Sequence, residues 1–282
     1  MSTLIELPHA FQYYQHAYEI HVIVVGCGGT GGYLVPNLAR LLANATDKNV
    51  KLFLMDGDEV ETKNLKRQNF IASDLGKNKA RVLAERYSAA LGYPINYTES
   101  YLKDAQQLEE LSSTSLEQGS NIVIGCVDNH RTRQVILEWF RAQQGRFWID
   151  AGNEEMNGQV VCGFNYSYPY CQGRDVFRLP CVADLFPEVE ADKKAMFNDE
   201  LSCAERAQTN PQNIATNVLA ANTLLSFAQQ VILGKPLHAH GVFFSSEQAT
   251  ADAMLNLPSR LDPAQWPGTP DTSSEKEEKE AA

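Results

Sequence analysis

The sequence lacks a long apolar run and any excess of positive charge. No apolar stretch approaches the ~20 residues that a membrane-spanning helix needs. The first 20 residues have neither a basic start nor an apolar core, so we expect no signal peptide. Lys and Arg number 24 against 35 Asp and Glu, and the formal charge of −11 argues against a nucleic-acid-binding surface. We therefore expect a cytoplasmic protein that binds neither nucleic acid nor membranes.

The sequence also lacks a C-x-x-C pair. Its six cysteines are scattered, and in the cytosol we expect them to be reduced and mostly buried. Eight, nine and twenty-one residues separate Cys162, Cys171, Cys181 and Cys203, which is a poor spacing for zinc ligands. A structural zinc site is therefore not expected.

The first half of the chain alternates between strand and helix patterns. Buried strands are predicted at residues 21–26, 50–56 and 121–128, a more exposed strand at 95–101, and further strands at 146–152 and 158–164. Apolar residues at helical spacing fill 31–46, 77–92 and 130–145. The alternation predicts an α/β fold: a doubly wound, mostly parallel Rossmann-like sheet with helices on both faces.

The second half has a different character. Residues 165–209 lack sustained periodicity, and a loop of this length inside a compact domain is often functional. A helix is predicted at 210–234 and a strand pair at 239–255. We predict an N-terminal helical or irregular extension over 1–20, one domain over 21–260 that contains the 165–209 loop, and a disordered tail over 261–282.

The turn after the first strand is rich in glycine. Gly26-Cys27-Gly28-Gly29-Thr30-Gly31 fits G-x-G-x-x-G and precedes a helix, whose N-terminal amides and dipole favour a phosphate. Asp56, at the end of the second strand, suits a ribose hydroxyl. Taken alone, these features favour a dinucleotide cofactor such as NAD or FAD.

The residues downstream favour a nucleoside triphosphate instead. Asp56, Asp58, Asn64, Arg67 and Gln68 lie within thirteen residues of one another. Lys79 and Asp128 follow, the latter at the end of another strand. Cations neutralise a polyphosphate and a carboxylate can hold magnesium, so this set is suited to ATP with Mg²⁺.

In order along the chain, GCGGTG, DGDEVETKNLKRQNF, DLGKNKA and VDNHRTR resemble the adenylation core of the ThiF/MoeB superfamily, the relatives of ubiquitin-activating enzymes. The family pattern runs G-x-G-G-x-G, D-x-D-x-V-x-x-x-N-x-x-R-Q, G-x-x-K and D-N-x-x-x-R. Later segments, among them LPCVADLFPE and SCAERAQTNPQNIATNVLAANTLL, are similar to the ThiF-like proteins of the PRTRC gene cluster. The resemblance covers about 230 residues.

This resemblance implies acyl-adenylate formation on the C-terminal carboxylate of a small ubiquitin-like protein, in a homodimer. It assigns the ribose to Asp56, the triphosphate to Asn64, Arg67, Gln68 and Lys79, and magnesium to Asp128. The full predicted nucleotide site is Gly26, Gly28, Gly29, Gly31, Asp56, Asp58, Asn64, Arg67, Gln68, Lys79 and Asp128. One departure stands out: the family's N-terminal arginine is missing, because no Arg or Lys precedes Arg40.

Activating enzymes that transfer the adenylated protein to another enzyme use a cysteine thiolate, which attacks the adenylate and forms a thioester. Cys203 is the best candidate, because it lies near the end of the irregular segment with Arg206 three residues on, where the family's crossover loop commonly carries the nucleophile. Cys181 is second. A conjugating enzyme would then accept the cargo.

Three alternatives remain at this point. A sulfur-carrier adenylyltransferase of the thiamin or molybdopterin type would hand its adenylate to a sulfur donor. An NAD- or FAD-dependent oxidoreductase would bind a dinucleotide and catalyse no ATP–pyrophosphate exchange. A degenerate scaffold would bind a partner without catalysis.

Overall fold

The computed structural model describes residues 19–45, 49–113, 119–165, 178–191 and 213–261. The predicted N-terminal extension and tail therefore lie almost wholly outside the described residues, and so does most of the 165–209 segment. No helix within these described ranges has both the length and the apolar character to cross a membrane.

Eight strands form one sheet in the order β3-β2-β1-β4-β5-β6-β7-β8. The strands are β1 Glu19–Val25, β2 Asn49–Met55, β3 Ile95–Thr98, β4 Gly119–Gly125, β5 Arg146–Asn153, β6 Asn157–Asn165, β7 Ala239–Ser245 and β8 Thr250–Leu255. The first five pair in parallel, whereas β6, β7 and β8 extend the sheet with antiparallel pairs. The α/β fold class is confirmed.

The longer helices cross between the parallel strands or cover the sheet. They are α1 Gly29–Ala43, α2 Lys79–Leu91, α3 Ala105–Leu111, α4 His130–Ala142 and α7 Ile214–Ile232, with short helices α5 Val182–Leu185, α6 Glu188–Ala191 and α8 Pro258–Leu261. Two apolar clusters, one on each side of the sheet, form the core. This is the layered arrangement in which a doubly wound sheet buries both faces.

Several element boundaries differ from the predicted ones. The strand predicted at 95–101 ends at Thr98, and the strand predicted at 121–128 ends at Gly125. Residues 126–128 are instead a loop before α4. The strand pair at 239–255 is confirmed as β7 and β8. Boundaries move because tertiary pairing, rather than local apolar character, decides where a ladder stops.

The register of the sheet positions the site. Val25 is opposite Met55 of β2 on one side and Gly125 of β4 on the other, so three parallel strands end at the same level. The β1 strand lies at the point where the strand order reverses. Open α/β sheets bind ligands outside the carboxyl ends of the strands at such a point.

Candidate functional site

The glycine turn joins β1 to α1 at this edge of the sheet. The backbone N–H of Gly26 donates to the Met55 carbonyl over 2.9 Å, and Gly26 has a φ of 93°, which favours glycine. A Cβ at Gly26 would also come within 2.6 Å of the Cys126 carbonyl oxygen. Gly26 therefore allows three strand ends to approach one another closely.

A cavity lies at the carboxyl ends of the parallel strands, beside the start of α1. Gly28 and Gly29 line it, as the sequence predicts for phosphate-binding residues. Gly31 does not line it: a Cβ there would overlap the Gly26 carbonyl oxygen. The structure thus places Gly31 behind the turn, where it packs the helix against the strand. A sequence motif cannot distinguish a glycine needed for packing from one that a ligand approaches.

Asp56 fixes the turn as well as facing the cavity. Its Oδ2 accepts the backbone N–H of Cys27 over 2.6 Å, and its Oδ1 accepts that of Asp58 over 2.8 Å. Burial raises the pKa of the Asp56 carboxyl, and the nearby Lys79 ammonium opposes this rise. The carboxylate therefore joins the end of β2 to the glycine turn, and it retains lone pairs for a hydroxyl group.

A buried ion pair lies next to Asp56. Lys79 Nζ donates to Asp58 Oδ2 over 2.7 Å, and only 6% of the Lys79 side chain is exposed. Tyr101 Oη donates to the other oxygen of Asp58, and its ring covers Gly57. Tyr101 was missed from the sequence because it was assigned to a strand, whereas it lies in the loop after β3.

The segment after β2 forms a short 3₁₀ turn over Asn64–Lys66. Asn64 is buried, and its Oδ1 accepts the backbone N–H of Glu61 over 2.8 Å. Its backbone carbonyl accepts from the N–H of Gln68. Arg67 and Gln68 follow and line the cavity. Asn64 lines the cavity too. Its hydrogen bonds also shape the turn that orients Arg67 and Gln68.

Asp128 lies in the loop between β4 and α4 and lines the same cavity. Its carboxylate is exposed, and within the described part of the chain no side chain or backbone N–H pairs with it. Asn129, the next residue, caps α4 by accepting the Thr132 backbone N–H over 2.8 Å. A carboxylate oxygen is a ligand that Mg²⁺ prefers, so Asp128 fits a magnesium ion held together with nucleotide phosphates.

The cavity has a volume of about 780 Å³, which suits a ligand of nucleotide size. It brings together ten of the eleven predicted nucleotide-binding residues: Gly26, Gly28, Gly29, Asp56, Asp58, Asn64, Arg67, Gln68, Lys79 and Asp128. Further polar side chains that the sequence did not single out come from the end of β5 and from the antiparallel strands, among them Asn153, Gln159, Gln248 and Asp252. Asn153 ends β5, Gln159 and Asp252 lie within β6 and β8, and Gln248 lies in the turn between β7 and β8, so no motif in the sequence marks them.

A chain of amides connects the second half of the fold to the glycine turn. Asn153 Nδ2 donates to Asn217 Oδ1 over 2.8 Å, and Asn153 Oδ1 accepts from Thr30 Oγ1 over 3.4 Å. Asn217, in the first turn of α7, is fully buried, and its amide leaves no room for a Cβ at Gly29. The helix that follows the 165–209 segment therefore packs directly on the glycine turn.

The described cysteines are all buried or nearly so. Burial raises the pKa of the Cys27, Cys126, Cys162 and Cys181 thiols, and Asp184 raises that of Cys181 further. Each is therefore a protonated thiol at neutral pH, which argues against the second-choice nucleophile Cys181. Cys203, the first choice, lies outside the described residues, as does Cys171.

The model of the ThiF family matches residues 6–254 of the chain. The chain belongs to the ThiF family. Two curated relatives are 26% identical to it: Ubiquitin-like modifier-activating enzyme 5 of Oryza sativa subsp. japonica over 50% of the chain, and Adenylyltransferase and sulfurtransferase MOCS3 of Danio rerio over 76%. The matches span 34% and 43% of those relatives, so the ThiF-family chain corresponds to less than half of each.

Solved structures agree with the ThiF fold. E. coli MccB, crystallised with AMPCPP and MccA, superposes with a TM-score of 0.54 at 19% identity, covering 88% of this chain and 66% of MccB. PaaA superposes with a TM-score of 0.55 at 16% identity, covering 87% of this chain and 67% of PaaA. At these identities the likeness establishes the fold. The closer relationship to PRTRC-cluster proteins stays a prediction.

Proposed function

We propose that this ThiF-family chain is an ATP-dependent activating enzyme that adenylates the C-terminal carboxylate of a small ubiquitin-like protein. The observation that carries the proposal is the convergence of Asp56, Asp58, Arg67, Lys79 and Asp128 on one cavity beside the glycine turn. Membership of the ThiF family and the similarity to an activating enzyme and to an adenylyltransferase support it.

In the proposed complex, the phosphates and the ribose of ATP occupy this cavity. The phosphates lie at the N-terminus of α1, where the amides after Gly28 and the helix dipole favour an anion. Arg67, Gln68 and Lys79 surround the β- and γ-phosphates, and the ribose hydroxyls lie against Asp56. When bound with the nucleotide at Asp128, Mg²⁺ would neutralise phosphate charge.

The reaction is a displacement at the α-phosphorus. A carboxylate oxygen of the carrier protein forms a bond to phosphorus, the bond from phosphorus to the bridging oxygen of the β-phosphate breaks, and pyrophosphate leaves with that electron pair. Arg67 and Lys79 stabilise the charge on the leaving group. Catalysis by this chain is positioning and charge neutralisation, because no covalent intermediate with the protein is needed for this step.

The second stage that we propose uses Cys203. Its thiolate attacks the acyl carbonyl, a thioester forms, and AMP leaves. Burial keeps the four described cysteines, Cys181 among them, as protonated thiols, which supports the choice of Cys203 over Cys181. Transfer to a conjugating enzyme and a homodimeric assembly belong to the same proposal.

One incubation tests the proposal. The chain is mixed with ATP, Mg²⁺ and a small ubiquitin-like protein, and intact mass and ATP–pyrophosphate exchange are measured. We expect exchange that depends on the carrier protein, together with an adenylate or thioester mass. Adenylate without a thioester would favour the sulfur-carrier alternative, which the match to an adenylyltransferase and sulfurtransferase keeps open. Exchange that is absent in the wild-type chain would overturn the proposed activity.

Asp128→Ala should abolish the exchange, and undiminished exchange would contradict the magnesium assignment. Glu138→Gln is a suitable control, because it removes one negative charge from the exposed face of the neighbouring α4.

A further inference from the structure

A buried ion pair lies directly behind the loop that carries Asp128. Arg133 Nε donates to Asp150 Oδ2 over 2.8 Å, joining α4 to β5. The Asp150 side chain is fully buried and that of Arg133 is 8% exposed. A buried ion pair adds little net stability, because the cost of desolvating the two charges offsets most of the attraction between them. The Arg133–Asp150 pair therefore suggests a role beyond stability.

The contacts of the second guanidinium nitrogen, Nη2, indicate this role. Arg133 Nη2 donates to the Val127 carbonyl over 2.8 Å and to the Ala151 carbonyl over 3.0 Å. The planar group therefore contacts the loop after β4 and the end of β5 at once, while Asp150 fixes its orientation. Val127 is the residue immediately before Asp128.

Asp128 thus lies between two anchored backbone positions. Arg133 holds Val127 on one side, and on the other Asn129 is fixed by capping α4. Asp150 itself reaches Arg133 past Gly125, where a Cβ would overlap its carboxylate. Among the described residues, the Asp128 side chain has no hydrogen bond or ion pair to orient it, so its position depends on this backbone.

We propose that Arg133, held by Asp150, is a positioning residue that fixes the Asp128 carboxylate through the Val127 carbonyl. This rests on the proposed function, in which Asp128 holds the metal of the ATP complex. Lysine cannot replace the guanidinium, because an ammonium group has no fixed fork that spans a carboxylate and two carbonyls. The role resembles that of a residue that orients a metal ligand without contacting the metal.

The test uses the full chain with Mn²⁺ and a non-hydrolysable ATP analogue. Arg133→Lys, Asp150→Asn and the matched control Arg141→Lys are compared with the wild type. Arg141 lies on the same helix and pairs with Glu190 at the surface over 3.0 Å. The measurements are Mn²⁺ affinity in the ternary complex, by electron paramagnetic resonance, and amide hydrogen exchange of residues 126–129 without ligand.

For Arg133→Lys we expect Mn²⁺ affinity to fall about tenfold, with faster exchange at 126–129 and unchanged exchange in β2. Arg141→Lys should match the wild type in both measurements. If exchange at 126–129 is the same in the Arg133 and Arg141 variants, the proposal is overturned. Asp150→Asn decides the matter by the same criterion if Arg133→Lys does not fold.

A further variant separates this proposal from the proposed function. Asp128→Asn should reduce Mn²⁺ affinity with no change in exchange at 126–127. If it binds Mn²⁺ as well as the wild type, the metal assignment of the proposed function fails. The exchange measurement on Arg133→Lys still decides whether Arg133 holds the loop.

Discussion

The Asp56 carboxylate accepts the backbone N–H of Cys27 over 2.6 Å. This bond joins the end of β2 to the second residue of the glycine turn. The acidic residue that the motif assigns to the nucleotide is therefore also part of the scaffold that shapes the glycine turn. A substitution at Asp56 consequently affects binding and stability together.

For Asp56→Asn we expect weaker nucleotide binding and a lower free energy of unfolding, by about 1.5–3 kcal/mol for one bond to a charged acceptor. Calorimetric titration with an ATP analogue and urea unfolding measure the two effects. Glu59→Gln, an exposed change in the same loop, serves as the control. Loss of binding with unchanged stability would show that the Cys27 bond contributes nothing to the fold.

Gly31→Ala should destabilise the protein, because its Cβ would overlap the Gly26 carbonyl oxygen. The expected cost is about 1–3 kcal/mol, as for other overpacked sites. Gly32→Ala is the matched control, since its nearest neighbours lie 3.6 Å away and alanine favours the helix. Denaturant unfolding of both variants checks the prediction, and equal stabilities would show that the turn relaxes easily.

Arg67→Ala should raise the KM for ATP or lower turnover by about tenfold or more, because a charge-assisted contact to the triphosphate is lost. Steady-state ATP–pyrophosphate exchange over a range of ATP concentrations provides the measurement. The adjacent Lys66 is exposed and lies outside the cavity wall, so Lys66→Ala should behave like the wild type. Wild-type kinetics for Arg67→Ala would mean that the triphosphate is held elsewhere.

Cys203→Ala should retain adenylation and lose any carrier adduct that a reducing agent releases. Cys181→Ala should retain both, because burial keeps the Cys181 thiol protonated by raising its pKa. Non-reducing gels and intact mass distinguish the outcomes. An adduct that persists in Cys203→Ala would exclude Cys203 as the nucleophile.

Glu19 gives a prediction about pH. Its bond to Lys51 lowers the pKa of the carboxyl from 4.5 to about 2. A carboxyl with a lowered folded-state pKa stabilises the fold above its unfolded value, and this contribution is lost as the pH falls from about 4.5 to 2. In Glu19→Gln, the free energy of unfolding should therefore fall less steeply than in the wild type as the pH is lowered from about 4.5 to 2. Glu110→Gln, at an exposed position, should leave that limb unchanged.

The parallel strands and the main polar residues could be predicted from the sequence. Strand β1, the glycine turn and α1 follow from local patterns, since branched apolar runs and helical spacing are properties of consecutive residues. Asp56 and Asp128 could be selected because they follow strand ends, where ligands bind in such sheets. Arg67 and Lys79 could be selected because cations that can neutralise a polyphosphate are concentrated in the segment after β2.

The contacts of Tyr101, Asn153 and Asn217 could not be predicted. Each depends on which loops and helices the chain brings back to the β1 edge. Asn153 and Asn217 meet only because α7 packs over β5, across 64 residues of sequence. Local periodicity contains no information about such a distant pairing.

The sequence by itself determined the fold class and the set of charged side chains that line the cavity, because a doubly wound sheet brings the loops after its parallel strands to one edge. Only the tertiary structure decided which of these residues also have a structural contact with another element. Gly31 packs against the Gly26 carbonyl, and Asp56 accepts a hydrogen bond from the Cys27 N–H. Arg133 donates to the Val127 carbonyl in the loop that carries Asp128. These roles depend on distances of a few ångströms between separate elements, which side-chain chemistry and spacing along the chain do not specify.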